Sequence, residues 1–150
     1  LMAAALHRGT AFVEILQDCP IFNDGSFDVL RKEEAADHLI HVRHGEKILF
    51  GTDDQWCVVQ QGFGLAVRAT ADVDEADIIV HDAHADDPGY AQALASLSSQ
   101  DLQYTVVGII RQVTRPTYDD QAREQVAQAK DAETRDLQAL LNGTNTWTIE

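Results

Sequence analysis

The apolar positions of this chain fall in short runs, and the spacing within each run predicts its element. AFVEIL (11–16) is apolar at most positions, as expected for a strand covered on both faces. Ahead of it, LMAAALHRG (1–9) reads as the last turns of a helix. Ala and Leu favour helix, His7 and Arg8 suit the negative end of the helix dipole, and Gly9 is placed to end it in a left-handed conformation. So short a helix is marginal alone and has no cap in front, so a longer helix and a sheet are expected upstream of Leu1. Behind the strand come Cys19, Pro20, an apolar pair and the turn residues Asn23-Asp24-Gly25. Ser26 is placed to cap a short helical turn through Phe27 and Leu30, and RKEEAAD (31–37) reads as a polar loop or solvated turn.

The pattern then changes. HLIHV (38–42), KILFG (47–51), WCVVQQ (56–61) and GLAVRAT (64–70) are short β-rich runs separated by His44-Gly45, Asp53-Asp54 and Gly62-Phe63-Gly64. This spacing predicts antiparallel hairpins. ADIIVHD (76–82) reads as a further strand. Asp87-Pro88 marks a helix start, with Asp as N-cap and Pro in the first turn, and Tyr90, Leu94 and Leu97 follow at helical spacing. TVVGIIRQV (105–113) predicts a β-branched strand, Tyr118 to Lys130 a charged helix, and DLQALLN (136–142) a shorter helix closed by Gly143. TWTIE (146–150) reads as a frayed or strand-like tail. Neither an internal repeat nor a low-complexity tract interrupts the pattern.

Composition narrows the function classes. Hydrophobic residues make up 45% of 150, enough for one α/β domain with a real core. No run approaches the roughly 20 apolar residues of a membrane-spanning helix. The formal net charge of -14, from 25 acids against 11 bases, argues against nucleic acid or an anionic membrane as partner. A soluble cytoplasmic protein is expected. Cys19 and Cys57 are therefore not expected to form a disulfide, and two cysteines cannot by themselves hold a cluster that takes four thiolates.

Candidate chemistry centres on Cys19. It follows the end of an apparent strand, where α/β sheets keep their chemistry, and Pro20 stiffens the backbone beside it. The competing reading is a small buried hydrophobe in a loop. Cys57, inside WCVV, reads as core. His81-Asp82-Ala83-His84-Ala85-Asp86-Asp87 carries imidazoles and carboxylates suited to zinc or manganese. A polar loop leading into a capped helix is the favoured reading, because Asp87 is already committed as a cap. His41 and His44 have no spacing that defines a site. Gly62-Phe63-Gly64 opens no helix and is no dinucleotide fingerprint, and there is no G-x-S-x-G elbow.

Several segments in order resemble the carboxyl-terminal part of the β subunit of 2-oxoacid:ferredoxin oxidoreductases, most closely the 2-oxoglutarate type. AALHRGTAFVEILQDCPIFNDGSFD looks like the family's helix end, strand and cysteine loop. HGEKILFG resembles its His-Gly-x-Pro-Ile/Leu-x-Phe-Gly segment, with Lys47 where proline is common. IIVHDAHADDPGYAQALASL resembles its strand, His-Asp loop and helix, and VVGIIRQVTRPTYDD its closing GIFRxVxRPxYD segment.

The resemblance implies the end of a doubly wound domain that binds thiamine diphosphate, with added antiparallel hairpins and C-terminal helices. Residues 1–37 would close the cofactor-binding core with the cysteine loop, and 38–150 would form the hairpin and helical region. It further implies thiamine diphosphate with Mg2+, a four-iron, four-sulfur (4Fe–4S) cluster, and an α subunit, ferredoxin, coenzyme A and a 2-oxoacid as partners. Carried over residue by residue, Cys19 matches the fourth cluster ligand and Asn23, close behind it, is a weaker cofactor-site candidate. Amides of the Pro20–Asn23 loop are placed to donate to cluster sulfurs. The family's early cysteines, its Gly-Asp-Gly motif and the following magnesium-binding Asn lie upstream of the matched segments. The chain alone is therefore expected to bind none of these cofactors and to be inactive. The alternative is a non-catalytic module whose hairpins and helices dock another subunit.

Overall fold

The clearest agreement between pattern and structure is the central hairpin. A computed structural model describes residues 1–132, 136–147 and 149. Strands β3 (Trp56–Gln61) and β4 (Gly64–Ala69) pair antiparallel, with Gln61 opposite Gly64. Their two-residue turn begins at Gly62, whose φ of +60° is the positive value that such hairpin turns ask of their first residue. The short strand β2 (Leu49–Phe50) joins the other edge of β3, so Cys57 and Val58 lie in the middle of a three-stranded sheet and are fully buried. The stretch 78–81 adds to this sheet through bridges of Ile78 to Val59 and Val80 to Lys47. It is extended but short of a full strand.

HLIHV departs from the hairpin expectation. Strand β1 (Leu39–Val42) pairs in parallel with β5 (Thr105–Gly108), Ile40 opposite Val106 and Val42 opposite Gly108. The side-chain alternation of β1 sets its buried face, and the partner strand sets the direction. Ile40 and Val42 point inward and His41 outward, and Val106 supplies the matching apolar face from far along the chain. Those residues join Ile48, Phe50, Val58 and Leu94 in one core cluster. The helix α3 (Pro88–Ala95) presents Leu94 to it, with Tyr90 and Leu97 packed beside. Asp87 caps α3 as expected, its carboxylate accepting the Gly89 N–H at 2.7 Å.

Four other expectations are corrected. AFVEIL forms no strand: 11–16 has no ladder partner among the described residues, and Phe12 and Ile15 are exposed. A strand exists only as a member of a sheet, and apolar composition does not supply the neighbour. RKEEAAD is turn only as far as Glu34, because Ala35–His38 forms the single-turn helix α2. TVVGIIRQV stops being strand at Gly108, whose φ of +126° turns the chain out of the ladder. A Cβ there would lie 2.4 Å from the Val42 carbonyl oxygen, so only glycine permits the approach. The turn after Asn23 forms, but Ser26 does not cap the 3-10 turn Asp28–Leu30; its hydroxyl bonds the Asn23 side chain instead.

The chain divides into two compact units, 14–114, which contains both sheets, and a second of 1–13 with 115–150. The second holds α1 (Met2–Leu6), α4 (Tyr118–Ala132) and α5 (Leu137–Asn142). Thr117 and Asp120 form a reciprocal capping box at the start of α4. Arg8 pairs with Asp120. Asp136 caps α5, and Gly143 with φ +67° ends it. Of TWTIE, Thr148 and Glu150 lie outside the described residues, and Trp147 and Ile149 adopt no regular structure. Among the described residues the fold is α/β, with a parallel strand pair, an antiparallel sheet and α3 packed on their core. No helix among the described residues is long and apolar enough to cross a membrane.

Candidate functional site

Cys19 sits at the head of a tight loop. Its carbonyl oxygen accepts the Asn23 N–H at 2.8 Å, which turns the backbone back on itself. The intervening Phe22 and Ile21 amides thereby face the Cys19 sulfur, and they hold its thiol below the ordinary cysteine range, Phe22 contributing most. A thiol favoured as thiolate and partly open to solvent has the character of a metal ligand. The loop is anchored by its neighbour. Asp18 accepts the Phe27 N–H at 3.0 Å and pairs with Arg31.

Asn23 is engaged within this loop. Its side-chain oxygen accepts from the Ser26 hydroxyl. Cys57 is the opposite of Cys19: fully buried, with its thiol pushed up by burial and only partly eased by a hydrogen bond to Thr70. Both cysteines are free thiols. Iodoacetamide is accordingly expected to alkylate Cys19 and spare Cys57 in the native protein, read by peptide mass mapping. Equal labelling of the two would contradict the loop geometry.

The His81–Asp87 segment divides into three jobs. His81 is buried and its ring is used twice. Nε2–H donates to the Ile109 carbonyl at 2.8 Å, and Nδ1 accepts the Tyr90 hydroxyl at 2.9 Å. Asp87 caps α3. His84 and His44 lie edge to face, 4.3 Å between ring centres. His84 Nδ1–H donates to the Gln112 carbonyl at 2.6 Å, and His44 Nδ1 accepts the Ala83 N–H at 3.3 Å. His41, Arg43 and Gln112 lie around that histidine pair. Residue pattern had left His41 and His44 without a site and had not singled out Arg43 or Gln112. Their only sequence signal was membership of segments separated by tens of residues.

No group of three or more His, Cys, Asp or Glu is gathered to hold a metal ion among the described residues.

Comparison with known proteins places the chain. No family model matches it, and neither does any solved structure. A curated relative, the 2-oxoglutarate oxidoreductase subunit KorB of Mycobacterium tuberculosis, is 61% identical over 153 aligned residues. The alignment takes in 100% of this chain and 41% of that protein, so the chain spans about two fifths of its relative. The resemblance carried by the cysteine loop and the later segments therefore holds from end to end: the chain is a homologue, along its whole length, of part of a 2-oxoglutarate oxidoreductase subunit.

Proposed function

We propose that this sequence serves in a 2-oxoacid:ferredoxin oxidoreductase, with 2-oxoglutarate as the oxoacid, and that Cys19 binds one iron of its 4Fe–4S cluster. The observation that carries the reading is the amide-lined thiol. Phe22 and Ile21 aim two N–H groups at a sulfur that is half open, which favours the thiolate that iron requires. The same amides are placed to donate to cluster sulfurs, a contact that tunes reduction potential. Asp18 and its bonds to Phe27 and Arg31 hold the loop in that shape.

The other thiolates come from outside this chain, since Cys57 is enclosed. Thiamine diphosphate with Mg2+ supplies the electron sink for oxidative decarboxylation when bound to the complete enzyme. No described residue of this chain is assigned to it; Asn23 remains the weak candidate, with its side-chain oxygen already engaged. The α subunit, ferredoxin and coenzyme A complete the reaction, in the cytoplasm.

A second reading, a docking module without a redox role, is favoured by the apolar side chains around the loop. Ile15, Ile21 and Phe22 are all largely exposed, and exposed apolar side chains gathered in this way mark an interaction surface. Reconstitution separates the claims. The chain alone, treated with iron and sulfide under argon, is expected to show no stoichiometric cluster absorbance and no 2-oxoglutarate-dependent electron transfer. The complete enzyme is expected to show both. A stable cluster on the chain alone would overturn the assignment of the remaining ligands.

A further inference from the structure

Three segments distant in sequence meet at one opening beyond the carboxyl ends of β1 and β5. Arg43 and His44 continue from β1, His84 comes from the loop after the bridged stretch 78–81, and Gly108 and Gln112 lie at and beyond the end of β5. Backbone bonds set this meeting. Gly45 N–H donates to His81 O at 2.8 Å and His81 N–H to Glu46 O at 2.9 Å, so the loop after β1 lies against the loop that carries His84. The cavity so formed is about 360 Å3, within the range of small-molecule sites. The carboxyl edge of a parallel pair is also where open α/β sheets hold ligands.

Beside the apolar Val42, Ala83, Val107 and Ile109, the titratable side chains of the lining are all nitrogen bases. Of 150 residues in the chain, 25 are acidic, yet none of the residues lining the cavity is, while three of the chain's six histidines and Arg43 are there. Asp82 is not among the lining residues; its carboxylate lies 3.4 Å from His44 Nδ1 and accepts the His84 N–H at 2.9 Å, so it braces the loop. Arg43 has only a loose, solvent-exposed contact with Glu46 at 3.8 Å, worth little in water. With Nδ1 of His44 occupied by the Ala83 amide, its second nitrogen is the donor of the neutral ring. His84 spends Nδ1–H on the Gln112 carbonyl, which fixes the plane of its ring beside His44.

We propose that this cavity binds a small anion through carboxylate or phosphate oxygens, with Arg43 as the fixed charge, His44 as the orienting donor and His84 as the wall that positions it. Guanidinium and imidazole donors converging on one space suit such oxygens. The site shares no residue with the Cys19 loop, and its test is independent of the cluster.

The experiment is a titration of the complete subunit with inorganic phosphate, with succinate and with sodium chloride at equal ionic strength, followed by the histidine ring signals in proton–carbon NMR. His44→Gln and His84→Gln assign the signals. The His44 and His84 rings are expected to shift and saturate with phosphate, which identifies a phosphate ligand, or with succinate, which identifies a carboxylate. Arg43→Gln, at an exposed side chain, is expected to weaken that binding about tenfold, and Cys19→Ser to leave it unchanged. Equal shifts with chloride, no saturable shift with either anion, or indifference to Arg43→Gln would each overturn the proposal.

Discussion

Cys19→Ser in the complete enzyme is expected to abolish 2-oxoglutarate-dependent reduction of ferredoxin and to remove the low-temperature electron paramagnetic resonance signal of the reduced cluster, while the subunits still assemble. The physical ground is the donor itself. A serine hydroxyl is a poor replacement for thiolate at iron, and the amides of Phe22 and Ile21 that favour the Cys19 thiolate cannot ionise an alcohol. Loss of a group one shell beyond a metal already costs roughly tenfold to a hundredfold, so loss of the ligand exceeds that. The side chain is partly exposed and makes no core contact, so the fold itself is indifferent to the change. Size-exclusion chromatography and iron analysis read assembly and cluster separately. Normal iron content with failed assembly would sink the ligand assignment in favour of the docking module.

His81→Ala is expected to destabilise the protein by about 3–5 kcal/mol, from an empty buried volume and from two stranded polar groups. His81 joins the end of the bridged stretch, α3 and the chain beyond β5: one nitrogen takes the Tyr90 hydroxyl and the other donates to Ile109 O. Tyr90→Phe removes only one of those bonds and is expected to cost about 1 kcal/mol. The midpoints of urea unfolding measure both, with unchanged slope, and equal losses for the two variants would refute the double anchor.

Burial raises the Tyr90 hydroxyl above its ordinary value, opposed by the Asp82 N–H and reinforced by the Asp82 charge. The hydroxyl is therefore a proton donor at neutral pH. Its contribution is complete below the unfolded tyrosine value of about 10 and lost as pH rises through the higher folded value.

Local chemistry was readable wherever a residue acts on its near neighbours. Asp87-Pro88 started a helix, Gly143 ended one, Gly62 turned a hairpin, and WCVV placed Cys57 in the core, because each depends on backbone geometry within a few residues or on plain hydrophobic enrichment. AFVEIL and HLIHV failed for a shared reason. Whether an apolar run becomes a strand, and with which direction, depends on a partner that local pattern does not name. The β1–β5 pairing spans more than sixty residues. His81 escaped notice similarly: as one histidine in a polar run it resembled its neighbours, and only Tyr90 and Ile109 closing on it made it a buried anchor.

By itself, the order of residues settled the α/β fold class, the acidic charge balance and the caps of α3 and α5, since these follow from composition and from contacts a few bonds away. Tertiary structure alone decided the parallel pairing of β1 with β5, the anchoring of His81 and the assembly of Arg43, His44 and His84 around one cavity. Those features require chain segments to meet after long loops have closed, a step whose entropy is repaid only when the core of Ile40, Val42, Val106 and Leu94 is formed.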